Sequence, residues 1–388
     1  MILTLQTSAF SSYGGISTYN RLVCRVLNDF NEAGGRKVLL GTDYPSDIQI
    51  QAAKLPNLKL EAFSNNRTSF VRRILSLAMD RRIDLALIGH VNYAPLGLLL
   101  SRLQPALRYG VIVHGVDVWS RLPAVRRRAL HQADFIISVS EYTKQQAIEV
   151  NSAVASRFHL LPNTLQWKME DGQAASAKST GLKLPAGTRL LTVCRLDSSE
   201  RYKGVDTVIK ALPVIAAQVP DIQYLIIGSG DDIKRLKVLA GNVGVTERIH
   251  FLGSVNDAQL RAYYQACDVF VMPSAKEGFG IVFLEAMQYS KPVVAADKGG
   301  SPEVVLDGVT GLLVQYNNIP QLAESITRLC LNPELRIKLG QAGNQRLQEK
   351  FTFHQFKQTL TGILKQELPA AAIYRTHSRT LIEDLKAL

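Results

Sequence analysis

The chain has 388 residues, of which 46% are hydrophobic and 20% charged; 45 Lys and Arg against 33 Asp and Glu give a formal charge of +12. That length accommodates two domains of ordinary size. The longest apolar stretches, such as residues 94–100, are broken by Pro or Gly and fall well short of a membrane-spanning helix, so the composition reads as a soluble globular protein. Cys24, Cys194, Cys267 and Cys330 are far apart, with no CxxC pair and no His at metal-ligand spacing. This pattern argues against a disulfide scaffold or zinc site and for reduced core cysteines in a cytoplasmic protein.

The opening residues MILTLQTSAFSSYGG lack a basic region and read as a first strand rather than a signal peptide. Gly14-Gly15 follows that strand and precedes a helical pattern at 16–28. A Gly pair at a strand-to-helix turn brings backbone N–H groups and a positive helix end to whatever binds above the sheet. It is not a full GxGxxG, so no dinucleotide site is inferred. KVLLGT, LALIG, YGVIVHG and FIISVS read as further strands, with helical patterns at 69–82, 95–103, 126–132 and 141–149 between them. This alternation predicts βαβ units and mainly parallel sheets. His114-Gly115-Val116-Asp117 closes the strand YGVIV, and the carboxyl ends of strands are where open α/β sheets bind ligands. Ser140 is expected to cap the helix that follows FIISV. Trp119 reads equally as pocket lining or packing.

The positive charge is concentrated in the first half, where residues 1–165 carry 19 Lys and Arg against 11 Asp and Glu. Arg67, Arg72, Arg73, Arg81, Arg82, Arg102, Arg108, Arg126, Arg127 and Arg128 supply most of it. No helix-turn-helix, zinc or RNP-like motif accompanies them, so nucleic acid is not the expected partner. An anionic membrane surface or a phosphorylated acceptor fits better, with ordinary solvated arginines as the plain alternative. The segment 69–82, with Phe70, Ile74 and Leu77 on one side, can lie on lipid or face a core.

Apolar periodicity lapses between 165 and 189, which predicts a first domain at 1–168, a linker at 169–188 and a second domain at 189–352. RLLTVCRL, QYLIIGSG, RIHFLG, DVFVMPS, KPVVAA and TGLLVQ restart the strands, and helical segments at 334–349 and 353–367 follow. The tail after Pro369 is amphipathic. Arg195 leaves the first of these strands, and Lys203-Gly204 precedes a helix. A planar Arg fork with a Lys point charge suits a phosphate-like anion. Gly228-Ser229-Gly230 and Leu252-Gly253 end two later strands, and Gly299-Gly300 makes another tight turn. In the block MPSAKEGFGIVFLEAMQYSKPVVAADKGG, Glu277 and Glu285 stand eight residues apart around Gly278-Phe279-Gly280. The glycines allow close backbone approach to a ligand. The first N–H groups of the helix, from Gly280, Ile281 and Val282, suit an anion. Glu285, two turns on, lies near the same helical face and can accept from hydroxyls such as those of a ribose.

This block resembles the donor-site signature of the retaining glycosyltransferases of family 4, and the resemblance extends over nearly the whole chain. It implies a GT-B fold: two facing Rossmann-like domains with mainly parallel sheets and a C-terminal helix that crosses back to the first domain. By the same resemblance, His114, Glu277, Arg195 and Lys203 are the catalytic candidates. His114 contacts the donor sugar, with Asp117 orienting hydroxyls. Arg195 and Lys203 hold the diphosphate, and Glu277 attends the sugar hydroxyls and the oxocarbenium-like centre. Gly14 and Gly15 lie near donor phosphates and acceptor. Gly228, Ser229 and the backbone around Leu252 hold base and ribose, and Glu285 grips the ribose. The implied reaction moves a hexosyl unit from a UDP- or GDP-linked sugar to a glycan or lipid-linked hydroxyl, in cell-surface polysaccharide or glycolipid assembly. Neither cofactor nor metal is expected, because the chain has no D-x-D triplet and Arg195 and Lys203 can do the metal's work. The expected location is cytoplasmic, at the inner membrane face. No residue stands out as a covalent nucleophile, which favours same-face attack assisted by the departing phosphate. The rival readings are a GT-B sugar-nucleotide epimerase, whose extra carboxylates at the sugar cannot be assigned, and a non-catalytic nucleotide-sugar-binding protein, which would have lost one of the four catalytic candidates.

Overall fold

The computed structural model describes residues 1–12, 14–31, 35–79, 83–165, 182 and 184–369. The chain divides into two compact units, Met1–Gln166 with Phe353–Leu388, and Trp167–Thr352. Residues 169–181 and Lys183 of the expected linker, Arg81 and Arg82, and the tail from 370 lie outside the described residues.

In the first unit seven strands form one parallel sheet: β1 (Ile2–Gln6), β2 (Arg36–Leu40), β3 (Lys59–Ala62), β4 (Leu85–Ile88), β5 (Arg108–Val113), β6 (Phe135–Ser138) and β7 (Phe158–Leu160). Their order is β3-β2-β1-β4-β5-β6-β7. The central strands are apolar runs buried along their length, as a sheet covered by helices on both faces requires. Helix Gly15–Asp29 follows β1, and helices Arg67–Met79, Ala94–Leu103 and Ala124–Gln132 pack in sequence. Helix Glu141–Asn151 begins at Ser140, whose side chain accepts the Thr143 N–H at 3.1 Å.

Two sequence expectations are refined here. Phe70, Ile74 and Leu77 of helix Arg67–Met79 are buried in the core, so that stripe faces protein and not lipid. Arg73 on the same helix makes a two-pronged bond to Glu61, at 2.7 and 2.8 Å. Trp119 packs against the core, edge-on to Tyr142 at 5.0 Å.

The last helix, Phe353–Glu367, belongs to this unit. Phe356 meets the Tyr19 ring at 5.4 Å, and Arg25 lies over Phe353 at 4.2 Å. Lys357 pairs with Asp29 at 2.6 Å. At the far end the buried Glu367 carboxylate forms an ion pair with Arg108 Nη2 at 2.5 Å and accepts from His159 Nε2 at 2.9 Å. Burying one aromatic side chain of this size contributes about 2 kcal/mol.

The second unit holds a six-stranded parallel sheet of β8 (Arg189–Val193), β9 (Gln223–Ile227), β10 (Ile249–Gly253), β11 (Val269–Met272), β12 (Val293–Ala296) and β13 (Gly311–Val314). Their order is β10-β9-β8-β11-β12-β13. Helices Val205–Gln218 and Ile319–Leu331 pack on each other and close its core around Leu190, Val208, Ile209 and Val271. In each unit the winding reverses beside the first strand, between β1 and β4 and between β8 and β11. Such reversals open a crevice at the carboxyl ends of the strands, the usual ligand position in open α/β sheets.

Candidate active site

In the second unit, the chain leaves β8 through Cys194 and Arg195 and makes the short 3-10 helix Ser198–Lys203. Arg195 is 69% exposed and reaches back to pair with the nearly buried Glu200. The second oxygen of Glu200, Oε2, is buried and has no partner among the described residues. Gly204 ends the turn in a left-handed conformation (φ 80°). A Cβ there would come within 2.6 Å of the Pro273 carbonyl, so only glycine lets this turn press against the end of β11.

That close approach brings Lys203 to Glu277. Its Nζ lies 2.9 Å from Glu277 Oε2, with the two side chains 18% and 15% exposed. Burial by itself depresses the ammonium, but the charge and hydrogen bond of Glu277 outweigh it and hold the Lys203 pKa above its ordinary value. Lys203 is therefore charged at neutral pH.

After Glu277 the chain turns through Gly278-Phe279-Gly280 into helix Ile281–Gln288. Phe279 is buried, edge-on to Phe351 at 5.5 Å, which anchors the turn. The Gly300 N–H donates to the Glu277 carbonyl at 2.7 Å, so the Gly299-Gly300 turn packs directly on this loop. The first N–H of the helix to bond back is that of Phe283, to the Gly280 carbonyl at 3.0 Å. Gly280, Ile281 and Val282 precede it, with no backbone acceptor among the described residues.

Glu285 lies deeper, 9% exposed, and its Oε2 accepts from the Tyr264 hydroxyl at 2.6 Å. Burial pushes its pKa up to about 7; the Tyr264 bond lowers it and the Asp257 charge adds to the rise. Gly228 and Ser229 follow β9. The Gly228 N–H donates to the Gly253 carbonyl at 2.9 Å, and the Ser229 carbonyl accepts from the Leu196 N–H at 2.9 Å. Between Phe251 and Gly253 the pairing of β10 with β9 slips by one residue, so Leu252 sits in a bulge outside the ladder.

Within this unit Lys203 and Glu277 thus meet directly, whereas Arg195 reaches Glu200 and Glu285 reaches Tyr264. Neither Glu200 nor Tyr264 stands out in the sequence. Among the described residues no group of three or more His, Cys, Asp and Glu is arranged to hold a metal ion.

In the first unit, His114 stands at the end of β5. Its Nε2 lies 2.8 Å from the Gly89 carbonyl, which fixes that nitrogen as the donor and leaves Nδ1 as an acceptor. The ring is edge-on to Tyr19 at 5.2 Å and nearly parallel to His90 at 6.0 Å. Burial pushes its pKa down to about 4; the Gly89 bond raises it and the neighbouring His90 lowers it further. His114 is therefore neutral at pH 7. Asp117 is engaged by the backbone: it accepts from the N–H groups of His114 at 3.0 Å and Gly115 at 2.7 Å, closing the turn that presents the histidine. Burial nonetheless pushes its pKa up to about 7.

Gly14 and Gly15 start the helix that carries Tyr19 to His114. The loop before them is organised by Asp43, a buried residue just past β2 that the sequence does not single out. Its carboxylate accepts from the Ser8 hydroxyl, from the N–H groups of Ala9 and Phe10 at 2.9 Å each, and from that of Ser11 at 3.3 Å.

Two Rossmann-like units, the second with a cation–carboxylate cluster and a glycine turn at its strand ends, define a glycosyltransferase of the GT-B type. A model described as "Glycosyl transferases group 1" matches residues 186–346, and one described as "Glycosyltransferase Family 4" matches residues 13–165. The chain belongs to glycosyltransferase family 4. It is 35% identical over 266 residues to a GDP-mannose-dependent alpha-(1-6)-phosphatidylinositol monomannoside mannosyltransferase of Mycolicibacterium smegmatis, covering 64% of this chain and 68% of that protein. A GDP-mannose-dependent monoacylated alpha-(1-6)-phosphatidylinositol monomannoside mannosyltransferase of Corynebacterium glutamicum is 32% identical over 304 residues, covering 74% and 78%. Among solved structures, Anabaena HepE in complex with UDP shares the fold, with a TM-score of 0.76 at 20% identity over 94% of this chain and 99% of that one.

Proposed function

We propose that this glycosyltransferase is a retaining, metal-independent hexosyltransferase that uses a nucleoside-diphosphate sugar and a glycan or lipid-linked acceptor. The observation that carries the proposal is the Lys203–Glu277 pair beside the Gly278-Phe279-Gly280 turn. A sugar diphosphate has an anionic end and a hydroxylated end, and this pair offers a cation to the first and a carboxylate to the second. As the bond from the anomeric carbon to the phosphate oxygen breaks, negative charge collects on the diphosphate, where Lys203 and Arg195 stabilise it. Glu277 accepts from sugar hydroxyls and offsets positive charge at the anomeric carbon. Neutral His114 takes part as a hydrogen-bond partner of the transferred sugar. The acceptor oxygen bonds to the anomeric carbon on the face the phosphate leaves, and its proton passes to the departing phosphate oxygen. The configuration is thereby kept without a covalent enzyme intermediate.

The donor we assign first is GDP-mannose, because the relatives at 32% and 35% identity bear it in their names. A glycolipid hydroxyl is the corresponding acceptor. We further assign an anionic membrane surface to the first unit. Leu75, Met79, Leu99, Leu103 and Val125 are exposed on the three adjacent helices Arg67–Met79, Ala94–Leu103 and Ala124–Gln132, together with Arg72, Arg102 and Arg128. Apolar side chains among cations suit a bilayer with anionic headgroups. Among the described residues no helix is long and apolar enough to cross a membrane.

The test is a transfer assay with GDP-mannose and UDP-hexoses on a glycolipid acceptor, with the product's anomeric configuration read by NMR. Transfer with retention, unchanged by EDTA, is expected. Inversion, loss of turnover in EDTA, or epimerised donor without transfer would overturn the corresponding part. Failure to sediment with anionic vesicles at low salt would remove the membrane assignment alone.

A further inference from the structure

We propose that Tyr264 is a positioning residue for nucleotide recognition: its hydroxyl holds Glu285 so that the carboxyl group is presented to the ribose hydroxyls of the donor. The inference rests on the reading of the second unit as the nucleotide-sugar site with Glu285 at the ribose, and adds a residue not assigned there.

The geometry is specific. Tyr264 is fully buried, and its ring lies parallel to Tyr289 at 6.2 Å and against Phe270 at 5.7 Å, so the hydroxyl has one direction available. It donates to Glu285 Oε2 at 2.6 Å, a short bond of the charge-assisted kind. A carboxylate has about four acceptor positions, and one tyrosine occupies only one of them. The helix Pro333–Lys350, packed on the helix of Glu285, contributes the uncharged Asn344 to the Met287 and Gln288 carbonyls. The ionisable groups acting on Glu285 are Tyr264 and Asp257, both from helix Asp257–Ala266; Tyr289, just past its own helix, feels the Glu285 charge in turn, along with that of Arg261. Neither Tyr264 nor Asp257 is a cation.

A buried carboxyl with one neutral donor and an acidic neighbour retains its proton more readily than an ordinary glutamate, in keeping with a pKa of about 7. Ribose hydroxyls donate to the ionised form and favour it. Nucleotide binding at this site is therefore linked to proton release, and affinity rises as the pH passes upward through about 7. Tyr264 sets where this happens. Removing its hydroxyl takes away a donor to the ionised form, raises the Glu285 pKa and moves proton release to higher pH.

Calorimetry with GDP and UDP, each beside its 2′-deoxy counterpart, in buffers of different ionisation enthalpy tests this. Wild type should release protons on binding and prefer the ribonucleotide by roughly tenfold, the worth of one good hydrogen bond. Tyr264→Phe keeps the ring and should lose most of that preference, with its affinity rising at higher pH than in wild type. Tyr289→Phe, which leaves the bond to Glu285 in place, should behave as wild type. If Tyr264→Phe keeps the preference and pH profile while Glu285→Gln loses the preference, the positioning role is wrong and the ribose assignment stands. If Glu285→Gln also keeps it, the ribose assignment itself fails. Absence of proton release in the unaltered protein overturns the inference whatever the variants do.

Discussion

Lys203 Nζ and Glu277 Oε2 stand 2.9 Å apart although 74 residues separate them in the chain. They meet because β8 and β11 are neighbours and Gly204 packs under the end of β11. Each side chain holds the other in place, which in the proposed role leaves little reorganisation for the transfer step.

Replacing Lys203 with Met removes the cation we assign to the diphosphate and leaves Glu277 largely buried without its partner. Turnover should fall by ~10²–10³-fold, as for loss of one transition-state donor, and the thermal midpoint should fall with it. Adding Glu277→Gln to Lys203→Met relieves the uncompensated charge, so the double variant should regain stability without regaining activity. Steady-state rates and melting curves on the three proteins decide this. A single Lys203 variant with full turnover would contradict the site assignment.

His114 binds its proton more weakly in the folded protein than in the unfolded chain, with a pKa of about 4 against an ordinary 6.5. Between those values the unfolded state takes up more protons, so this residue's contribution to stability is present above about pH 6.5 and is lost as the pH falls towards 4. Below that range the loss is complete. His114→Asn lacks this term, so the melting temperature of wild type should decline by several degrees relative to the variant over that window. The same shift implies that His114 adds no acidic limb near pH 6 to the pH–rate profile.

Asp43→Ala leaves the Ser8 hydroxyl and three backbone N–H groups of the loop before Gly14 without their acceptor. A loss of about 3 kcal/mol is expected from stranding buried donors. Asp43→Asn keeps an oxygen and should lose less. Urea denaturation measures the energies, and amide exchange at Ala9 and Phe10 should accelerate first if the loop opens locally.

The central strands were legible because a sheet covered on both faces writes itself as continuous apolar runs such as LALI and FIIS. Edge strand β3, KLEA, is only partly buried and carries no such run, so nothing in the sequence marks it. The Glu277 block was legible because its residues are contiguous and its glycines have a backbone reason to be there. Tyr264 on Glu285, Glu200 on Arg195 and Asp43 on the Ser8 loop were not, since each depends on which elements become neighbours. The stripe of Phe70, Ile74 and Leu77 shows the same limit from the other side: periodicity defines an apolar face, and only the fold says what covers it.

The helix Phe353–Glu367 ties the chemistry of protein synthesis to this architecture. Tyr19, Arg108 and His159 leave the ribosome long before Phe356 and Glu367, their partners, have been translated. The nascent first unit therefore waits, with part of its apolar surface uncovered, while all of Trp167–Thr352 is made and free to fold. A stop codon after Thr352 would spare the second unit and damage the first. To be expressed alone, the amino-terminal half would need the carboxyl-terminal helix grafted onto it.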